Sequence, residues 1–205
     1  MKKIIYIIIS TILISCSTSE NLELKSNKTI SDTFNESEIN DLQIIFDFFN
    51  GEICDSKKLN NESLNECYEK YCYEIREQRK IGFNFNSKID FEKQLEMYKR
   101  IDQSTFKEIW YFQNRTDINS LDNFKYLEYS YLGKYKVFLK KYGEENKAIH
   151  NFYEGIEFEG GINPNTLGGL DMYYEYFDIS DIRTKLVIAI QYLTFNDQLE
   201  RKEKY

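Results

Sequence analysis

One histidine is present, so any mechanism that needs imidazole has to run through His150. Glu154 follows four residues later, a spacing that puts both side chains on one helix face, where two ligands could meet one metal. A lone His-Glu pair is half of a four-coordinate site, and its ordinary outcome is a surface contact, so neither a metal nor a cofactor is expected. No H-E-x-x-H, G-x-S-x-G, phosphate-binding glycine loop or calcium-loop spacing occurs. Carboxylates are the remaining catalytic equipment. Glu157 and Glu159 precede a glycine-rich stretch over 160–170, which holds the only proline, Pro164, and Asp171, Glu175, Asp178 and Asp181 follow it. Two such acids facing each other would suit glycan cleavage. Acids beside a loop more commonly meet water or cap helices, and Asp178 and Asp181 stand where a helix should begin. Just before them come Tyr173, Tyr174, Tyr176 and Phe177. These rings could form a platform for a glycan or a protein hot spot, or pack alternately on the last helix. No catalytic residue is assigned.

The elements that must position these residues read as helices, since one proline and nine glycines in 205 residues leave few interior breaks. Asn35 or Ser37 can cap a helix whose stripe is Ile39, Leu42, Ile45, Phe46, Phe49 and Ile53. Ser63 with Glu66 makes a capping box for a second, with Leu64, Cys67, Tyr68, Tyr71, Cys72 and Ile75 inward. A third carries Phe91, Leu95, Tyr98 and Ile101. Phe106 to Gln113 is read as a short helix, with a strand through Ile109 to Phe112 as the competitor. From Ser120 the longest amphipathic stretch runs through Leu121, Phe124, Leu127, Tyr131, Tyr135, Phe138 and Tyr142, and another helix follows from about Glu145 to Phe158. The last, beginning at Ser180 or Asp181, is apolar nearly all round through Leu186 to Phe195 and should be buried on every side. The expected fold is all-α, a bundle of about six or seven helices around that C-terminal helix. It forms one domain over 36–205.

The first sixteen residues, MKKIIYIIISTILISC, have a different texture. Lys2 and Lys3 form a basic start, Ile4 to Ile14 an apolar run too short for the about 20 residues of a spanning helix, and Leu13-Ile14-Ser15-Cys16 the close. That close resembles the lipobox of bacterial lipoproteins. The resemblance implies that residues 1–15 are a signal peptide and that Cys16 receives a diacylglyceryl group, is cleaved from Ser15 and is then acylated, palmitate being a typical chain. Two or three acyl chains hold a protein stably, at about 0.8 kcal/mol per buried methylene. Residues 16–35 then read as the lipidated cysteine and a flexible tether. Ser17, rather than Asp, follows the cysteine, which by resemblance to the enteric sorting rule implies the outer membrane, facing the periplasm.

With Cys16 taken by lipid, Cys54, Cys67 and Cys72 remain in a compartment that permits disulfides. Cys67 and Cys72 point about 140° apart on one helix, so the expected bridge joins Cys54 to Cys67 or Cys72, with no choice between them. The charge of −7 becomes −9 once Lys2 and Lys3 are removed, which argues against nucleic acid as a partner. The expected function is a membrane-anchored, non-catalytic binding or scaffold lipoprotein with a protein partner. The alternatives are an immunity lipoprotein that sequesters a toxin and a carbohydrate-active enzyme using the acids around 160–170.

Overall fold

Folded structure begins earlier than the tether reading expects. The computed structural model describes residues 23–54, 61–81, 86–116, 123–159 and 174–201. A 3-10 turn at Leu24–Ser26 leads into α1, Lys28–Ser31, capped by the Asn27 side chain. Leu24, Ile30 and Phe34 are buried, and the Leu24 N–H donates to Gln43 Oε1 at 2.9 Å. Leu24 to Phe34, expected as part of a tether reaching Asn35, are instead packed against the folded body. Three isolated apolar residues in a polar stretch show no period, yet each is an anchor.

The second helix, α2, Glu36–Ile53, opens on a reciprocal capping box between Asn35 and Glu38 and buries the stripe Ile39, Leu42, Ile45, Phe46 and Phe49. Helix α3, Asn61–Ile81, lays Tyr68 and Tyr71 against the Phe49 ring, and Tyr68 donates to Asn50 Oδ1 at 2.8 Å. A disulfide joins Cys54 to Cys67, Cα atoms 5.6 Å apart, while Cys72 is buried in the core. Helices α4, Phe91–Arg100, and α5, Gln103–Ile109, follow. The start of α5 is held from outside: the buried Asp41 carboxylate accepts from the Asp102 N–H and the Thr105 hydroxyl.

Next comes the departure from an all-α fold. Strands β1, Trp110–Thr116, and β2, Asn123–Tyr129, pair antiparallel with Trp110 opposite Tyr129 and Thr116 opposite Asn123. The fold is mostly α with this one small sheet among the described residues. Each reading of this stretch holds in part, since Phe106 and Ile109 lie in α5 while Trp110 to Phe112 lie in the strand, and where a long helix is expected from Ser120 to Tyr142 the described residues from Asn123 on form a strand, a turn and a shorter helix. Aromatic residues suit a strand, and pairing with a partner outweighs a helical period that Leu127 and Tyr131 satisfy only by coincidence. Gly133 fixes the break. A Cβ there would lie 2.2 Å from the Glu108 carbonyl oxygen, so only glycine lets the turn after β2 pass α5.

Helices α6, Lys134–Gly143, and α7, Lys147–Glu159, pack together, and α8, Ile182–Glu200, closes the chain. The Asp181 side chain caps α8, which is buried on nearly all sides from Thr184 to Leu193 and touches α2, α4 and β2. Four of its buried polar side chains are bonded to other elements. Thr184 shares a hydrogen bond with Tyr142 at 2.7 Å, Gln191 accepts from Tyr129, Thr194 accepts from the Trp110 indole at 2.7 Å, and Asn196 donates to Gln94 at 2.8 Å. Apolar burial drives the helix inward, and these pairs fix its rotation and height, because a shift would strand each group unbonded.

Candidate functional site

The residues singled out by type and spacing do not converge. Cys16, Tyr173, Asp171 and the 160–170 stretch lie outside the described residues. Tyr174–Tyr176 forms a 3-10 turn, after which Tyr176 is 74% exposed and Phe177 is 8% exposed, so these two neighbours of the aromatic run face opposite ways. His150 and Glu154 are both exposed on α7, and no group of three metal-ligating side chains occurs among the described residues. Glu175 pairs with Arg76 at 2.6 Å. Asp178 accepts from Ser180 N–H at 3.0 Å, and Asp181 accepts from Arg183 N–H at 2.8 Å. Asp178 and Asp181 thus shape the entry to α8, while Glu175 ties the 3-10 turn to α3.

A side-chain constellation does form elsewhere, between the end of β2, α6 and α7. Tyr129, Ser130, Tyr131, Tyr135 and Leu139 line one side of a small recess, and Tyr153, Ile156 and Glu157 line the other. Lys136 lies between them. Its ammonium pairs with Glu157 at 2.7 Å and sits 4.0 Å from the centre of the Tyr131 ring. Gly133 and the α5 contact position the turn that carries Ser130 and Tyr131; the Glu108 carboxylate accepts from Lys134 N–H, and Lys134 pairs with the buried Glu38.

The hydrogen bond with Glu157 raises the Lys136 pKa, so this amine stays protonated and is no nucleophile. Burial raises the tyrosine pKa values at Tyr129, Tyr135 and Tyr153, which keeps these hydroxyls neutral. Glycan cleavage needs two carboxylates about 5–10 Å apart across the bond, and the lining supplies Glu157 alone, already engaged by Lys136. What the recess offers is aromatic faces, hydroxyls and one ion pair, equipment for binding. Sequence reading reached Glu157 for a different role and passed over the rest. The lining comes from three elements, and Tyr131 and Tyr135 enter the sequence reading only as members of a helical stripe.

A second polar cluster lies at the entry to α8. Arg183 bonds Asp181 and Glu145 and stacks 4.1 Å from the Tyr142 ring centre. Lys185, 1% exposed, donates to the Ser180 carbonyl at 3.2 Å. Burial lowers its pKa to about 8, against the opposing pull of Asp181 and Asp178. No family model, no curated protein and no solved structure matches the chain.

Proposed function

We propose that this chain is a lipid-anchored binding or scaffold lipoprotein of the bacterial cell envelope, held through Cys16 at the outer membrane and facing the periplasm, without catalysis of its own. The observation that carries this reading is Leu13-Ile14-Ser15-Cys16 at the end of a short apolar run with a basic start. A helical bundle about α8 is the body that the anchor would hold. The described parts are compatible with lipid as the attachment, since no described helix is long and apolar enough to cross a membrane. The described acids beside the glycine-rich stretch have structural tasks, and the tyrosine-lined recess is equipped to bind; both support binding over bond cleavage.

Fractionation tests the anchor. The full-length protein should sediment with membranes, resist extraction by salt and release into detergent, whereas Cys16→Ala should lose the acyl chains and the membrane association they confer. Membrane retention of Cys16→Ala equal to wild type would remove the basis of the proposal.

A further inference from the structure

The packing of residues 23–35 decides which side of the body a lipid anchor can hold. This segment is clasped onto three helices. The Leu24 N–H donates to Gln43 Oε1 on α2 at 2.9 Å. Lys141 on α6 donates to the Asp32 carbonyl at 2.9 Å and to the Thr33 hydroxyl at 3.2 Å, and Arg183 at the start of α8 donates to the Thr29 hydroxyl at 3.1 Å. Leu24, Ile30 and Phe34 are buried, with the Phe34 ring centre 6.2 Å from that of Phe138. Apolar anchors at both ends and bonds between them make 23–35 part of the body.

Glu23 lies seven residues after Cys16. Seven residues reach at most about 25 Å, whatever their conformation. A folded body of this size is about 40 Å across. With the point opposite Leu24 resting on a bilayer, Leu24 would stand farther from the surface than that chain can stretch, so the short link favours the side that bears Leu24. Helix α8 gives the direction. It passes through the core from the clasp, where Arg183 bonds Thr29, and Glu200 at its other end is about 25 Å away along the axis.

The surface around Leu24 suits that place. Because Leu24 bonds Gln43, the 3-10 turn lies over the side of α2 on which the exposed Asn40 and Asp47 flank Gln43 at helical spacing, and Gln43 donates to Asp47 at 2.8 Å. Lys25 and Lys28 are exposed beside it, paired with Glu23 at 2.9 Å and with Asp32. The exposed large apolar side chains of the described residues lie outside 23–53. Polar groups of both signs match the head-group layer and supply no apolar area to drive insertion, so depth is left to the lipid. We infer that the side of the body formed by Leu24–Ser26, α1 and the Asn40 to Asp47 side of α2 lies against the phospholipid head groups of the membrane that holds Cys16, which rests on the lipid-anchor reading and adds a distance and a direction to it.

Energy transfer to the bilayer tests it. With Cys16 acylated, Cys54 joined to Cys67 and Cys72 buried, a cysteine introduced at the surface is the accessible thiol for a fluorescent maleimide. The full-length lipoprotein, labelled at Lys25→Cys or at Glu200→Cys, both exposed positions, is reconstituted in phosphatidylethanolamine and phosphatidylglycerol vesicles that carry an acceptor on their head groups. Transfer should be strong at Lys25→Cys and weaker, by about twofold or more, at Glu200→Cys at the far end of α8. A flexible Gly-Ser segment of about 20 residues inserted between Ser19 and Glu20 adds about 25 Å of reach and should lower transfer at Lys25→Cys about twofold. Equal transfer at the two positions, stronger transfer at Glu200→Cys, or a Lys25→Cys signal indifferent to the insertion would overturn the orientation. Flotation of the same samples keeps the two claims apart. Protein that floats with the vesicles and shows equal transfer retains the anchor and removes this face; protein that carries no lipid and stays in the dense fraction removes the anchor, and this face with it.

Discussion

Along β2 the outward carbonyl of Leu127 is caught by Gln198, and Trp110 and Tyr129 at the base of the hairpin bond Thr194 and Gln191 on α8. Along β1 the equivalent outward groups of Phe112, Asn114 and Thr116 have no backbone partner among the described residues. The two edges belong to one ribbon and share its twist and composition. They differ in what lies beside them. On the closed side, burial raises the cost of an unbonded polar group to about 1–3 kcal/mol, so matched side chains are needed. On the other side Tyr111 to Thr116 are exposed, and an outward backbone group there does not carry that cost.

That difference predicts a graded response to substitution. The largest effect belongs to Gln94, buried against α8, which donates to the Leu193 carbonyl at 2.8 Å and accepts from Asn196 at 2.8 Å. Gln94→Ala leaves the buried Asn196 amide without this acceptor, removes the second bond to the Leu193 carbonyl and opens a cavity, and should cost about 3 kcal/mol in urea denaturation. A loss under 1 kcal/mol, on the order of a surface change, would show that α8 is not registered by these bonds.

Next comes pH. Lys185 titrates near 8 in the folded chain against 10.5 for an ordinary lysine, so between those values the unfolded state binds more protons and stability rises with pH. Buried Tyr68, Tyr129 and Tyr142 and half-buried Tyr98 titrate above the ordinary 10.0, so above that value the folded state binds more protons and stability falls. A maximum near pH 10 is expected, with a rise of about 2 kcal/mol before it. Lys185→Met should flatten the rise and leave the fall.

The smallest effect should be at the exposed edge of β1. Asn114→Ala should change the stability of the monomer by less than about 0.5 kcal/mol, because its backbone groups face water and its side chain is exposed. A larger loss would mean that β1 is held by more than its pairing with β2.

Much of this architecture was legible where a local rule governs. The Asn35 cap, the apolar stripes of α2 and α3 and the apolar circumference of α8 follow from short-range rules and appear as expected, whereas the capping box expected of Ser63 and Glu66 does not open α3, which already runs from Asn61. The hairpin was not legible, because Trp110 finds Tyr129 nineteen residues away and Phe124, Leu127 and Tyr131 mimic a helical stripe. Gly133 was a visible interruption whose meaning depended on the Glu108 backbone beside it. The choice of Cys67 over Cys72 for Cys54 turned on the rotation of α3 against α2, which composition does not encode. The recess was illegible for a related reason: Tyr131, Lys136 and Glu157 become neighbours only after β2, α6 and α7 have packed.

The lipid anchor is the claim on which the functional reading stands, and the intact mass of the protein purified from membranes addresses it directly. The account predicts a chain beginning at Cys16 and carrying a diacylglyceryl group, with a further acyl chain on its amino terminus. A mass corresponding to an uncleaved, unmodified chain from Met1, or to a chain cleaved elsewhere without lipid, would contradict it.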